Sequence, residues 1–156
     1  MKILHGHSQE VADFVCSLIP RCAEGFGPCY GIGVLNEDGL LIGGIVYHGW
    51  DTPAQTIEFS GAAITSKWMT RKVLHEIFSY AFDFLGCQMI MTRNSVTNTR
   101  LHRQLSAYGF TRYDVTRLFG RHEDAVFWTL DDDQWRASPF YLEDIKHVET
   151  TRANAA

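Results

Sequence analysis

Asn98 heads the stretch "NTRLHRQLSAYGF", eleven residues before the pair Gly109-Phe110, and its side-chain oxygen is of the kind that caps a helix by accepting from a backbone amide. Further upstream, "TSKWMTRKV" (residues 65–73) stands just before the strongest helical pattern of the chain and brings Lys67, Arg71 and Lys72 to that helix start. Unpaired amides and the positive end of the helix dipole let a helix start bind an anion. Glu58 lies on an alternating segment, where a carboxylate serves as an outward polar residue or as the partner of an Arg or Lys. The four cysteines, Cys16, Cys22, Cys29 and Cys87, form no Cys-x-x-Cys pair, and the seven histidines lack the i, i+4 spacing of a zinc helix. The cysteines read as reduced thiols and no metal is expected.

These residues need elements to hold them. Residues 2–5 read as a short strand, followed by a helix capped by Ser8 with Val11, Phe14, Val15 and Leu18 on one face and Pro20 marking its end. "CYGIGVLNEDGLLIGGIVYHGW" reads as an antiparallel hairpin turning at residues 36–39. In "QTIEFSGAAI" (55–64), Ile57, Phe59 and Gly61 alternate with Glu58, Ser60 and Ala62, the period of a strand. Val73, Leu74, Ile77, Phe78, Ala81 and Leu85 then recur at helical spacing, and Gly86 stops that helix. The apolar run "CQMIMTR" (87–93) reads as a strand parallel to 55–64 and joined to it by a β-α-β crossover. A second helix over 98–108 carries Leu101, Leu105 and Tyr108 on one face, and a hairpin around Gly120 closes the sheet. The fold class is α/β (α+β) with a mixed sheet.

At 156 residues, 46% hydrophobic, the chain is the size of one domain with a real core. A net charge of −4 offers no general basic field for nucleic acid. No stretch approaches the roughly 20 apolar residues of a membrane span, and the N-terminus lacks a signal-peptide pattern. The expectation is a soluble, cytoplasmic protein. A single domain over 1–137 is expected, followed by a partly disordered tail over 138–156.

The order strand, polar loop, amphipathic helix, buried strand and Asn-headed helix ending in Gly-Phe resembles the GNAT superfamily of acyl-CoA N-acyltransferases, over residues 29–130. "SYAFDFLGCQMIMTRNSVTNTRLHRQLSAYGF" is most similar to the branch that includes ribosomal-protein N-terminal acetyltransferases. The resemblance implies a mostly antiparallel sheet with a central parallel strand pair and flanking helices. It implies acetyl-CoA as acyl donor and a primary amine as acceptor: a protein N-terminus, a lysine or a small amine. It assigns acetyl-CoA binding to Ala63, Ile64, Thr65, Lys67, Trp68, Met69, Thr70 and Arg71 around the pyrophosphate, and to Asn98 on the pantetheine arm. It makes Glu58 the general base, and places near Gly61–Ala63 a β-bulge that splays the parallel strands.

Two departures from the family pattern stand out. The loop "TSKWMTRKV" has none of the usual glycines, so Trp68 and Met69 also read as a hydrophobic plug on the core. Leu105 occupies the place of the tyrosine that usually protonates the thiolate, with Tyr47, Tyr108 and Tyr113 as the nearest substitutes and water as an equal alternative. Two other readings stay open on these grounds. One is a catalytically weak or inactive GNAT-fold acyl-CoA-binding module. The other is an assembly protein, and with it a homo-oligomer, in which Trp135, Phe140 and Tyr141 dock on another subunit.

Overall fold

The structure is a computed structural model and describes residues 1–141. Seven strands form one sheet in the order β1-β2-β3-β4-β5-β7-β6: β1 Lys2–Leu4, β2 Cys29–Leu35, β3 Leu41–Asp51, β4 Thr56–Ala63, β5 Met89–Ser95, β6 Thr111–Gly120 and β7 Glu123–Asp131. Every neighbouring pair is antiparallel except β4 and β5, which run parallel across the connection that contains the second helix. The mixed sheet with one central parallel pair is thus the one expected from the sequence.

The helices cover both faces. α1 (Ser8–Leu18) lays Val11, Ala12 and Val15 on Val46 of β3, forming a small core on one face. α2 (Arg71–Ser79), α3 (Thr99–Ala107) and α4 (Asp132–Ala137) add Leu74, Ile77, Leu105 and Trp135 to the larger core on the other, against Ile57, Phe59 and Ile90. Strand alternation therefore decides which residues reach which layer. On β4, Ile57 and Phe59 enter the large core, while Glu58 and Ser60 face the side on which α1 packs.

Local details depart from the sequence reading. Ser8 does not cap α1: His7 holds that position with no side-chain cap, and the Ser8 hydroxyl accepts from Gly31 N at 3.0 Å, tying the helix to β2. The second helix is not regular to Gly86. After Ser79 it widens into a π turn over Tyr80–Phe84, closed by Leu85 N donating to Tyr80 O at 2.9 Å. The thiols are not all free: Cys16 and Cys22 form a disulfide, because the reversal after α1 brings their Cα atoms to 5.1 Å. Cys29 and Cys87 are unpaired.

The end of the described chain folds back on its own core. Trp135 is fully buried, and Phe140 and Tyr141 pack against the same cluster. The acidic run before it serves the helix start: Asp131 accepts from Gln134 N at 2.7 Å, and Gln134 Oε1 accepts from Asp131 N at 3.0 Å. The expected tail beyond Tyr141 lies outside the described residues. Among the described residues, no helix is long and apolar enough to cross a membrane.

Candidate active site

β4 and β5 pair over only three positions, Thr56 with Met89, Ile57 with Ile90 and Glu58 with Met91. Beyond Glu58, β4 continues to Ala63 bound only to β3, and β5 continues to Ser95 bound only to β7. The two strands have parted, and the sheet opens there. The bulge expected near Gly61–Ala63 is not the cause: these residues keep regular register with Gly43–Ile45. The irregularity lies lower down, where Gly49 and Trp50 of β3 face the single residue Ile57, beside the last rung that β4 shares with β5.

Two cavities occupy the opening and share Gly61, Asn98 and Leu101 in their walls. The larger, about 680 Å³, lies on the α1 side and is walled by Glu58, Ser60, His48, Arg93 and Asn94, with Arg21, Cys22 and Phe26 from the loop after α1. The smaller, about 280 Å³, is walled by Ala63, Ile64, Thr65, Ser66, Trp68 and the first turns of α3. One cleft therefore runs through the parted sheet.

The expected donor-side residues divide. Ala63, Ile64, Thr65, Trp68 and Asn98 line the smaller cavity together, whereas Lys67, Met69, Thr70 and Arg71 are not in its wall. Trp68 rests its ring on the backbone of Gly43, where any Cβ would overlap it, so the plug reading holds for this side chain and depends on that glycine. Met69 packs on the large core as well. Thr70 caps α2 by accepting from Val73 N at 3.2 Å. The Arg71 guanidinium lies over the Phe140 ring, 5.1 Å from its centroid. The Thr70 cap takes the Val73 amide, so in the first turn of α2 the amides of Arg71 and Lys72 are the ones left for an acceptor. Asn98 caps α3, accepting from Leu101 N at 3.4 Å, while also standing in the wall of both cavities. Gly109, at φ +95°, turns the chain out of α3 so that Phe110 enters the core.

Glu58 points into the larger cavity and is not free there. Arg93 Nε and Nη2 donate to its two oxygens at 2.8 and 3.2 Å, a bidentate pair. His48 stands opposite Glu58 in the β3–β4 register, with Nε2 3.2 Å from Ser60 Oγ and its ring 5.1 Å from that of Phe26. Burial lowers the pKa of His48 from its ordinary value, Glu58 nearby opposes the shift and Arg93 adds to it. The imidazole is therefore neutral at pH 7 and able to take a proton. Sequence reading missed His48 and Arg93, since both become visible only once strand register sets them beside Glu58.

None of the tyrosines walls either cavity. Leu105 is in the core, as is Tyr47, whose hydroxyl donates to Ile77 O at 2.7 Å and is held well above its ordinary pKa by burial. Tyr108 packs edge-on against Phe140, and Tyr113 is exposed on β6.

No protein-family model and no curated protein matches the chain. Solved structures do. Spermidine N-acetyltransferase SpeG from Vibrio cholerae, in a mutant form, superposes with a TM-score of 0.70 at 12% identity, covering 88% of this chain and 98% of its own. A structure described as a probable acetyltransferase gives a TM-score of 0.59 at 22% identity over 70% of this chain and 65% of its own. Ribosomal-protein-S5-alanine acetyltransferase from Vibrio fischeri gives 0.59 at 17% identity over 69% of this chain and 63% of its own. Parted central strands, helices on both faces and these neighbours agree: the chain has the fold of the GNAT acetyltransferases.

Proposed function

We propose that the chain is an acyl-CoA-dependent N-acetyltransferase that passes the acetyl group of acetyl-CoA directly to a primary amine. The observation that carries the reading is the parting of β4 and β5 beyond Glu58, which joins a donor-side and an acceptor-side cavity into one cleft. Thioester and amine can then meet without a covalent enzyme intermediate. Acetyl-CoA supplies an activated acyl group whose carbonyl carbon is attacked by the amine nitrogen as the C–S bond breaks.

The chain's own groups would divide the remaining work. Where β4 has lost its β5 partner its amides alternate, Ile64 N donating to Ile42 O of β3 at 2.9 Å, so the neighbouring Ala63 amide would face the cleft, and the start of α2 offers further donors to phosphate. Lys67 and Arg71 would add positive charge around the pyrophosphate, Met69 and Trp68 would hold the loop on the core, and Asn98 would bond the pantetheine arm. Glu58 is the proposed base, directly or through water, with neutral His48 beside it as a second proton acceptor. The leaving thiolate takes its proton from water, since no tyrosine walls the cavities.

One observation favours a second reading. The Glu58 carboxylate is engaged by Arg93, and a base so held would leave an acyl-CoA-binding protein with little turnover. Thermal denaturation with and without acetyl-CoA, combined with a thiol-release assay over a panel of amines, separates the two. Stabilisation with amine-dependent CoA release supports the transferase, and stabilisation without it supports the binding module. No shift at millimolar acetyl-CoA removes both.

A further inference from the structure

The acceptor cavity has a charge pattern that selects among amines. Its wall holds two acids, Glu58 and Glu123, and two arginines, Arg93 and Arg21. They are matched one to one: Arg93 grips Glu58 at 2.8 Å, and Arg21 Nη2 donates to Glu123 at 2.9 Å. Each carboxylate thus has its cation already, and Glu123 also accepts from Ser95 Oγ at 2.9 Å. A polycationic amine would find no uncompensated negative charge here, and entering would cost it hydration for little return.

The donors are the group in surplus. Arg93 uses two of its five N–H bonds and Arg21 one, among the described residues. The wall therefore lacks acceptors, and a planar anion would supply them in the geometry guanidinium groups favour.

We propose that the acceptor is a small zwitterionic amine, one carrying its own carboxylate as a free amino acid does. This rests on the acetyl-transfer reading and names its substrate class. The ammonium end meets Glu58 and His48, and the carboxylate meets the spare donors of Arg93 and Arg21. A ligand with one charge of each sign leaves the matched wall neutral, which a polyamine cannot do. The amine enters as the ammonium and loses two protons: one passes through the cavity base to solvent, the other balances the thiolate, which leaves as CoA thiol. The new C–N bond replaces the C–S bond, and no redox partner is needed.

The test compares amino acids with their own decarboxylation products, so that only the carboxylate differs: lysine with cadaverine and phenylalanine with phenethylamine, plus spermidine. CoA thiol release from acetyl-CoA is the readout on the full chain. The expected result is a kcat/KM at least about tenfold higher for each acid-bearing member, the least that a charge-assisted hydrogen bond provides. Arg21→Gln should narrow that ratio by raising KM for the amino acids alone, and Arg21→Lys should restore part of it. Equal or better turnover of the decarboxylated amines or spermidine overturns the zwitterion proposal and leaves acetyl transfer standing. Binding of acetyl-CoA with no release by any amine overturns acetyl transfer, and the proposal falls with it. The wild-type comparison alone decides the matter should a variant fail to fold.

Discussion

At the scale of single residues, the question is which group takes the amine proton. Glu58→Gln cannot accept a proton, so if Glu58 is the base the variant keeps its acetyl-CoA affinity and loses roughly 10²–10⁴-fold in turnover near neutral pH. A loss below threefold, measured by thiol release across pH, would hand the role to His48 or to water. His48 also predicts a stability profile. Its folded pKa lies below the ordinary 6.5 because of burial, so the unfolded chain binds that proton more readily. The contribution is therefore present above pH 6.5 and lost as pH falls through the folded value. Glu58, Arg93 and Ser60 face the ring, and only Glu58 favours the charged form. Thermal melts should show a drop in Tm below pH 6.5 that is smaller in His48→Gln, and identical slopes in the two proteins would refute it. Asn98 can be dissected in the same spirit. Asn98→Asp keeps an oxygen to cap α3, so Tm should hold, while loss of the amide donor should weaken acetyl-CoA binding by about 0.5–1.5 kcal/mol. A drop in Tm with unchanged binding would leave capping as its whole role.

At the scale of elements, the loop after α1 forms one wall of the larger cavity, and it is tied down twice. The Cys16–Cys22 disulfide closes its near end, and the Arg21–Glu123 pair fastens it to β7. A disulfide closing so short a loop is worth about 2 kcal/mol in the chain-entropy account. Cys16→Ser or reduction should lower Tm accordingly and raise KM for the amine more than KM for acetyl-CoA, because only the acceptor wall borders this loop. Equal effects on both KM values would contradict that division. The strands were readable from alternation, and the parallel pair followed from the crossover rule, because periodicity and handedness are local or nearly so. What alternation could not supply was register across strands. It set His48 beside Glu58, brought Arg93 onto the same carboxylate, and moved the bulge from Gly61 down to Gly49–Trp50. Trp68 was legible as a plug but not its seat on Gly43, and the Cys16–Cys22 bond depends on a loop reversal with no sequence period. The π turn after Ser79 escaped for a related reason, since its apolar spacing still satisfies a helical pattern.

At the scale of the whole molecule, the sheet is two antiparallel arms joined by three rungs. β1 to β4 form one arm, β5 to β7 the other, and only Thr56–Met89, Ile57–Ile90 and Glu58–Met91 bridge them within the sheet. Packing from α2 and α3 on one face reinforces the joint, but the upper halves of β4 and β5 each lack one neighbour's hydrogen bonds. Local opening should begin there, since exposed, half-paired backbone sits at the low end of the stability range. Acetyl-CoA, placed in the gap, would touch both arms at once and bind only when they are correctly set. A ligand present at 100 times its dissociation constant adds about 2.7 kcal/mol to the closed state. Hydrogen exchange should therefore slow by up to about a hundredfold at residues 60–66 and 93–98, the two banks of the gap, and at the start of α2. The edge strands β1 and β6 share no opening with the ligand and should change least. Protection spread evenly over the sheet would mean that acetyl-CoA acts only through global stability. Protection confined to the edges would place it somewhere other than the parted strands.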